Sequence, residues 1–143
     1  MNALTATQAI CETTMTQATL SCSTDTLARL HGWADKGWLR RLDSAMAAFM
    51  LELDASASSI LLVSTAVLAQ MEGRGHTCLP LRLLATQPDD VLAWPPQAQE
   101  DLQSLWSGLP SQMTDWVAAL RLSPLVRLAK EGEIGRASCR ERV

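Results

Sequence analysis

The stretch Ser56-Ala-Ser-Ser-Ile-Leu-Leu-Val-Ser-Thr-Ala-Val-Leu-Ala-Gln-Met71 holds no charged residue and, wound at about 3.6 residues per turn, is apolar almost all round. Ile60, Leu61, Leu62, Val63, Ala66, Val67 and Leu68 point in too many directions to be served by one neighbour. A helix of this kind sits centrally, with other elements packed on several sides. Its apolar run, residues 60–69, is interrupted by Ser64 and Thr65 and is too short to span a bilayer, which takes about 20 residues. A soluble cytoplasmic protein is the expectation.

Upstream, residues 38–54 carry Leu39, Leu42, Met46, Phe49 and Leu53 at steps of three and four, with Arg40, Arg41, Asp43 and Glu52 elsewhere. This spacing predicts an amphipathic helix that buries its leucine stripe and wets its charges. Further back, Thr24 or Asp25 suits the cap of a short helix to about residue 35, with Leu27, Leu30 and Trp33 inward. Gly32 and Gly37 then loosen the chain.

Downstream, Gly73 suits a left-handed helix terminus, and His76-Thr-Cys-Leu79 reads as a short extended segment. Pro80 can open a helix carrying Leu81, Leu83 and Leu84, and the proline- and aspartate-rich residues 87–96 read as a surface loop. Two further helices, 97–106 and 111–120, flank Gly108-Leu-Pro110, with Leu102, Leu105, Trp106, Met113, Trp116, Val117 and Leu120 as their buried candidates. The expected fold is all-α: an irregular bundle of about five to six short helices, with a short extended segment near residues 76–79.

Composition agrees. Leu, Ala, Val and Met dominate the 48% hydrophobic fraction, with one Phe, five Trp and no Tyr, a mixture that favours helix over sheet. The 143 residues suffice for one core rather than two. Residues 1–24, rich in Thr, Ala and Ser without a sustained period, read as a flexible extension or a mis-assigned start. Residues 133–143, EIGRASCRERV, closely resemble the conceptual translation of a sequencing adapter and are expected to be dispensable, which leaves residues 25–132 as the domain. Taking the tail's three Arg and two Glu from 12 basic and 15 acidic residues leaves 9 and 13. That net acidity offers no field for a phosphate backbone, so binding of DNA by this domain alone is not expected.

Few residues could carry chemistry. Gly32-Trp-Ala-Asp-Lys-Gly37 has the glycine spacing of a phosphate loop, but Trp38-Leu39 stands where Lys and Ser or Thr are needed. His76 and Cys78 could be imagined as a nucleophile pair or metal site, yet nothing in the sequence supplies an orienting third group. Cys11, Cys22, Cys78 and Cys139 make no C-x-x-C pair. No catalytic, cofactor-binding or metal-ligating residue is assigned.

Residues 61–81, ending in Gly73-Arg-Gly-His-Thr-Cys-Leu-Pro-Leu81, resemble the helix and G-x-G-H-x-C-L-x-L signature near the start of the exodeoxyribonuclease V alpha subunits, the RecD family. Residues 42–54 resemble that family's first core helix, and residues 116–126 the segment that precedes its motor. The likeness spans about residues 39–126, although the Thr/Ser-rich start departs from the family pattern. The resemblance implies the amino-terminal helical domain of a RecD-like subunit, truncated before the helicase motor. It also implies a parent that is an ATP-dependent 5′–3′ DNA helicase of the RecBCD complex, acting in double-strand break repair by homologous recombination. ATP and Mg²⁺ would then belong to the parent. The domain itself would dock onto a RecC-like subunit, reaching RecB through the complex and DNA only in the complete assembly. Gly73, Gly75, His76, Cys78, Leu79 and Trp116 are the candidate signature or partner-contact residues. Two other readings compete: a freestanding helical adaptor, and a small Cys-His enzyme using Cys78. Docking would use apolar surface that one chain cannot bury, with Trp106 and Trp116 as the expected anchors.

Overall fold

The structure is a computed structural model that describes residues 22–127. The proposed extension, apart from its last three residues, and the proposed tail lie outside them. All regular secondary structure among the described residues is helical, with no strand among them. In chain order the helices are α1 (22–35), α2 (Arg41–Leu53), α3 (Ser59–Gly73), α4 (Leu81–Thr86), α5 (Pro88–Leu92), α6 (Gln99–Trp106) and α7 (Met113–Arg121), with a 3₁₀ turn at Pro96–Ala98 before α6. The segment at residues 76–80 is non-helical, as expected.

α3 is the hub. Ile60, Leu61, Leu62, Val63, Ala66, Val67 and Met71 are all buried, and its first turn is closed by Ser58, whose hydroxyl accepts from the Leu61 amide at 3.2 Å. α1 is anchored to the start of α3 by polar side chains. Ser23 Oγ donates to the Ala57 carbonyl at 2.6 Å, and Thr26 Oγ1 to Ser59 Oγ at 2.8 Å. Cys22 to Thr24 therefore lie within α1, and neither Thr24 nor Asp25 is its cap.

The helix expected at residues 38–54 forms from Arg41, but with its face inverted; of the expected stripe, Leu39, just ahead of the helix, is buried. α2 buries Asp43, Ser44 and Ala47, while Leu42, Phe49 and Leu53 are 58%, 49% and 54% exposed. The reason is local. The Asp43 carboxylate accepts from the Arg40 amide at 2.9 Å and from the Arg40 guanidinium at 2.7 Å, closing the first turn of α2. The same guanidinium donates to the Ala69 carbonyl near the end of α3. These bonds fix which side of α2 meets α3, and the small Ser44 and Ala47 let the two helices approach closely. Bonding to Asp43 first, against the opposing effect of burial, holds the Arg40 pKa above its ordinary value.

The proline-rich loop expected at residues 87–96 contains α5. Pro88 occupies its first turn, where the missing N–H costs nothing, and Asp89 and Asp90 favour the positive helix start. Val91 and Leu92 are buried. Met113, expected inward, is exposed, as is Leu83 of α4.

The tryptophans form two clusters. Trp94 meets Trp33 edge-on at 5.1 Å and lies 6.2 Å from Trp38. Trp106 stacks on Trp116 with ring centroids 6.4 Å apart. Both indole N–H groups of the second cluster are satisfied, Trp106 donating to the Leu84 carbonyl at 2.8 Å and Trp116 to that of Pro110 at 2.6 Å. Trp106 and Trp116 thus complete the core instead of anchoring a partner.

Asp54, at the α2–α3 turn, ties that turn to the end of the described chain. Its carboxylate accepts from the Ser56 hydroxyl at 2.6 Å, the Ser56 amide at 3.0 Å and the Ser123 hydroxyl at 2.9 Å. The Ser56 hydroxyl bond, with Ser123 and the Ser56 amide adding to it, outweighs burial and lowers the Asp54 pKa. The folded state therefore takes up this proton less readily than the unfolded chain. Its stabilisation is complete above the unfolded carboxylate pKa of about 3.9 and is lost as pH falls through the lower folded value. Asp54→Asn should flatten the acid limb of a plot of Tm against pH, measured by circular dichroism, and change little of its shape above about pH 5.

Candidate docking site

The signature glycines do different jobs. Gly73 lies inside α3, not at a left-handed terminus, and a side-chain carbon there would collide with the Arg40 guanidinium. Glycine at residue 73 is the space in which Arg40 crosses the helix end. The left-handed residue is Gly75, at φ 89°. Around it the Gly75 amide donates to the Glu72 carbonyl at 2.9 Å and the His76 amide to that of Met71 at 3.0 Å, a Schellman closure. Between the glycines, Arg74 Nη1 donates to the Leu92 carbonyl at 2.9 Å and pins α5.

A side chain at residue 73 would push the Arg40 guanidinium off Asp43 and the Ala69 carbonyl, and the loss of those bonds should make Gly73→Ala destabilising in the native background, although Ala is the better helix former by about 1 kcal/mol. In an Arg40→Ala background the same change should be neutral or stabilising. A urea-denaturation double-mutant cycle reads the difference, and additive effects would show that the two residues are uncoupled.

This closure turns the chain so that residues 77–81 form one wall of an apolar groove. The cavity has a volume of about 400 Å³. Thr77, Cys78, Leu79 and Leu81 lie along one side, Leu61, Ser64, Thr65 and Leu68 of α3 form the floor, and Met50, Leu120, Leu125 and Val126 complete it. Leu68 and Leu125 are exposed, so the core helix opens one face to solvent here. In the floor the Ser64 hydroxyl is buried and has no hydrogen-bond partner among the described residues.

The candidate residues separate accordingly. Cys78 and Leu79 line the groove, with Cys78 a free, exposed thiol. Gly73 and Gly75 shape its approach, His76 is exposed at the turn, and Trp116 is buried beneath α7. Sequence reasoning missed Leu68, Leu125 and Ser64. From the sequence Leu68 reads as core, because the periodicity of α3 marks no open face.

A family model described as RecBCD enzyme subunit RecD, N-terminal domain, matches residues 35–134. The chain belongs to the RecD N-terminal domain family. No curated protein and no solved structure gives a significant match. The match begins at the last residue of α1, so that helix stands almost wholly outside it, and it takes in the Gly73–Leu81 signature, the groove and α7. As the RecD N-terminal domain of a RecBCD enzyme, the chain is a piece of a multi-subunit assembly. No helix among the described residues is long and apolar enough to cross a membrane, and no group of three or more His, Cys, Asp or Glu among them could hold a metal ion.

Proposed function

We propose that this RecD N-terminal domain docks its subunit onto a RecC-like partner by seating apolar side chains of that partner in the groove beside Cys78 and Leu79. The groove carries the reading. An open face of the central helix, with room for two or three side chains and a buried hydroxyl awaiting a partner, is suited to protein binding rather than to a reaction. RecB would be reached through the complex, and DNA only by the complete cytoplasmic assembly. ATP and Mg²⁺ would serve the helicase motor of the parent subunit, whose 5′–3′ unwinding belongs to recombinational repair of double-strand breaks.

On this reading the domain hydrolyses no ATP above background. A version whose sole cysteine is Cys78, tagged there with a bulky maleimide, should lose binding to the cognate RecC-like subunit, while the unlabelled protein binds. Binding unaffected by complete labelling would remove the groove from the interface.

A further inference from the structure

The outward stripe of α2 is used by neither the core nor the groove. Leu42, Ala45, Met46, Phe49 and Leu53 fall within about 100° of one another around the helix and form a charge-free band. Leu42, Phe49 and Leu53 are each about half exposed or more, and Ala45 is exposed beside them. Both charges that flank the band, Arg41 and Glu52, lie along the same edge, at opposite ends of the helix. Neither belongs to an ion pair among the described residues, where the pairs are Lys36–Asp101 and Arg40–Asp43.

We infer that α2 pairs antiparallel with α2 of a second copy of this chain, about a twofold axis crossing the helix near Met46 and Ala47. The charge arrangement selects this occupant. A twofold perpendicular to the helix keeps the charged edges of both copies on one side and reverses their direction. Arg41 of each copy then faces Glu52 of the other, twice. In the same register Leu42 lies near Leu53 of the other copy, and Phe49 lies over its Met46 and Ala45, where the small Ala45 leaves room for the ring. A parallel pairing, about a twofold along the helices, would instead put the two charged edges on opposite sides of the seam and leave Arg41 and Glu52 without partners. A seam of three helical turns is a small interface, so the dimer is reversible, with a dissociation constant on the order of 10–100 µM. The inference does not rest on the RecC reading, because it uses a different surface.

Sedimentation equilibrium of the full chain tests it. The native protein should show a monomer–dimer equilibrium, and Phe49→Glu should be monomeric with an unchanged circular dichroism spectrum, since Phe49 is outside the core. Arg41→Glu and Glu52→Arg should each weaken self-association about tenfold. Mixed together, these two single variants should associate at least as well as the native chain, because every facing pair is then opposite in charge. Leu68→Glu, in the groove, should leave the dimer intact. Failure of the mixture to recover association, or a dimer that survives Phe49→Glu, would overturn the inference. A native chain that stays monomeric and dimerises only after removal of residues 1–21 would also overturn it, by assigning the stripe to that segment.

Discussion

Replacing Trp116 by Ala should lower the free energy of unfolding by about 3–5 kcal/mol, the range for truncating a large, fully buried aromatic residue. Trp116 is wholly buried, and no other residue of α7 is. Its ring stacks on Trp106, and its N–H satisfies the Pro110 carbonyl in the loop between α6 and α7. Truncation would leave a cavity against Trp106, free the Pro110 carbonyl and release the helix leading to Leu120, Leu125 and Val126 of the groove. Against a typical total of about 5–15 kcal/mol, the loss is a large share of stability. Chemical denaturation monitored by tryptophan fluorescence checks the magnitude. Trp116→Phe, which keeps an aromatic ring but not the N–H, should fall between. A loss below about 1 kcal/mol for the Ala variant would mean that α7 is held by something other than this residue.

Asp43→Ala should cost about 2–3 kcal/mol. Asp43 is fully buried and paired with Arg40, and removing one partner of a buried pair typically costs about 3–5 kcal/mol. The lower figure follows because the Arg40 side chain is 46% exposed and can turn back to water. Three things go together in the variant: the closed first turn of α2, the hold on Arg40 across Gly73, and the restraint that keeps the leucine stripe outward. Binding of a hydrophobic dye should change along with the denaturation midpoint, since α2 would be free to roll its stripe toward α3. An Asp43→Ala protein as stable as the native chain would contradict the explanation given for the inverted face.

That inversion shows where periodicity stops being informative. The three- and four-residue steps of Leu42, Met46, Phe49 and Leu53 specify a helix and an apolar face, and the helix is there. Periodicity says that those side chains share a side, but not what covers it. Which side meets α3 is decided by Asp43 closing the turn onto Arg40, an interaction that a pattern of apolar residues does not contain. The central helix was legible because a segment apolar all round must be enclosed, yet the opening at Leu68 and Ser64 depends on where residues 77–81 and 120–126 end. α5 carried a readable signal, Pro88 followed by two acids, that the surrounding prolines obscured. The signature glycines were visible as glycines. Their separate reasons, a guanidinium passing over Gly73 and a left-handed turn at Gly75, required the three-dimensional arrangement. For Trp106 and Trp116 the missing information was again long-range, because each lies on a short helix whose neighbour is the other tryptophan.

The central claim is that this RecD N-terminal domain is a docking module whose groove receives a partner subunit. Isothermal titration of the purified chain into the cognate RecC-like subunit tests it most directly, with Leu68→Glu and Phe49→Glu titrated alongside. The account predicts saturable one-to-one binding by the native chain and by Phe49→Glu, and binding weakened at least thirtyfold by Leu68→Glu, the size of a hot spot of about 2 kcal/mol. A folded native chain that shows no heat of binding, or a Leu68→Glu protein that binds as the native one does, would contradict it.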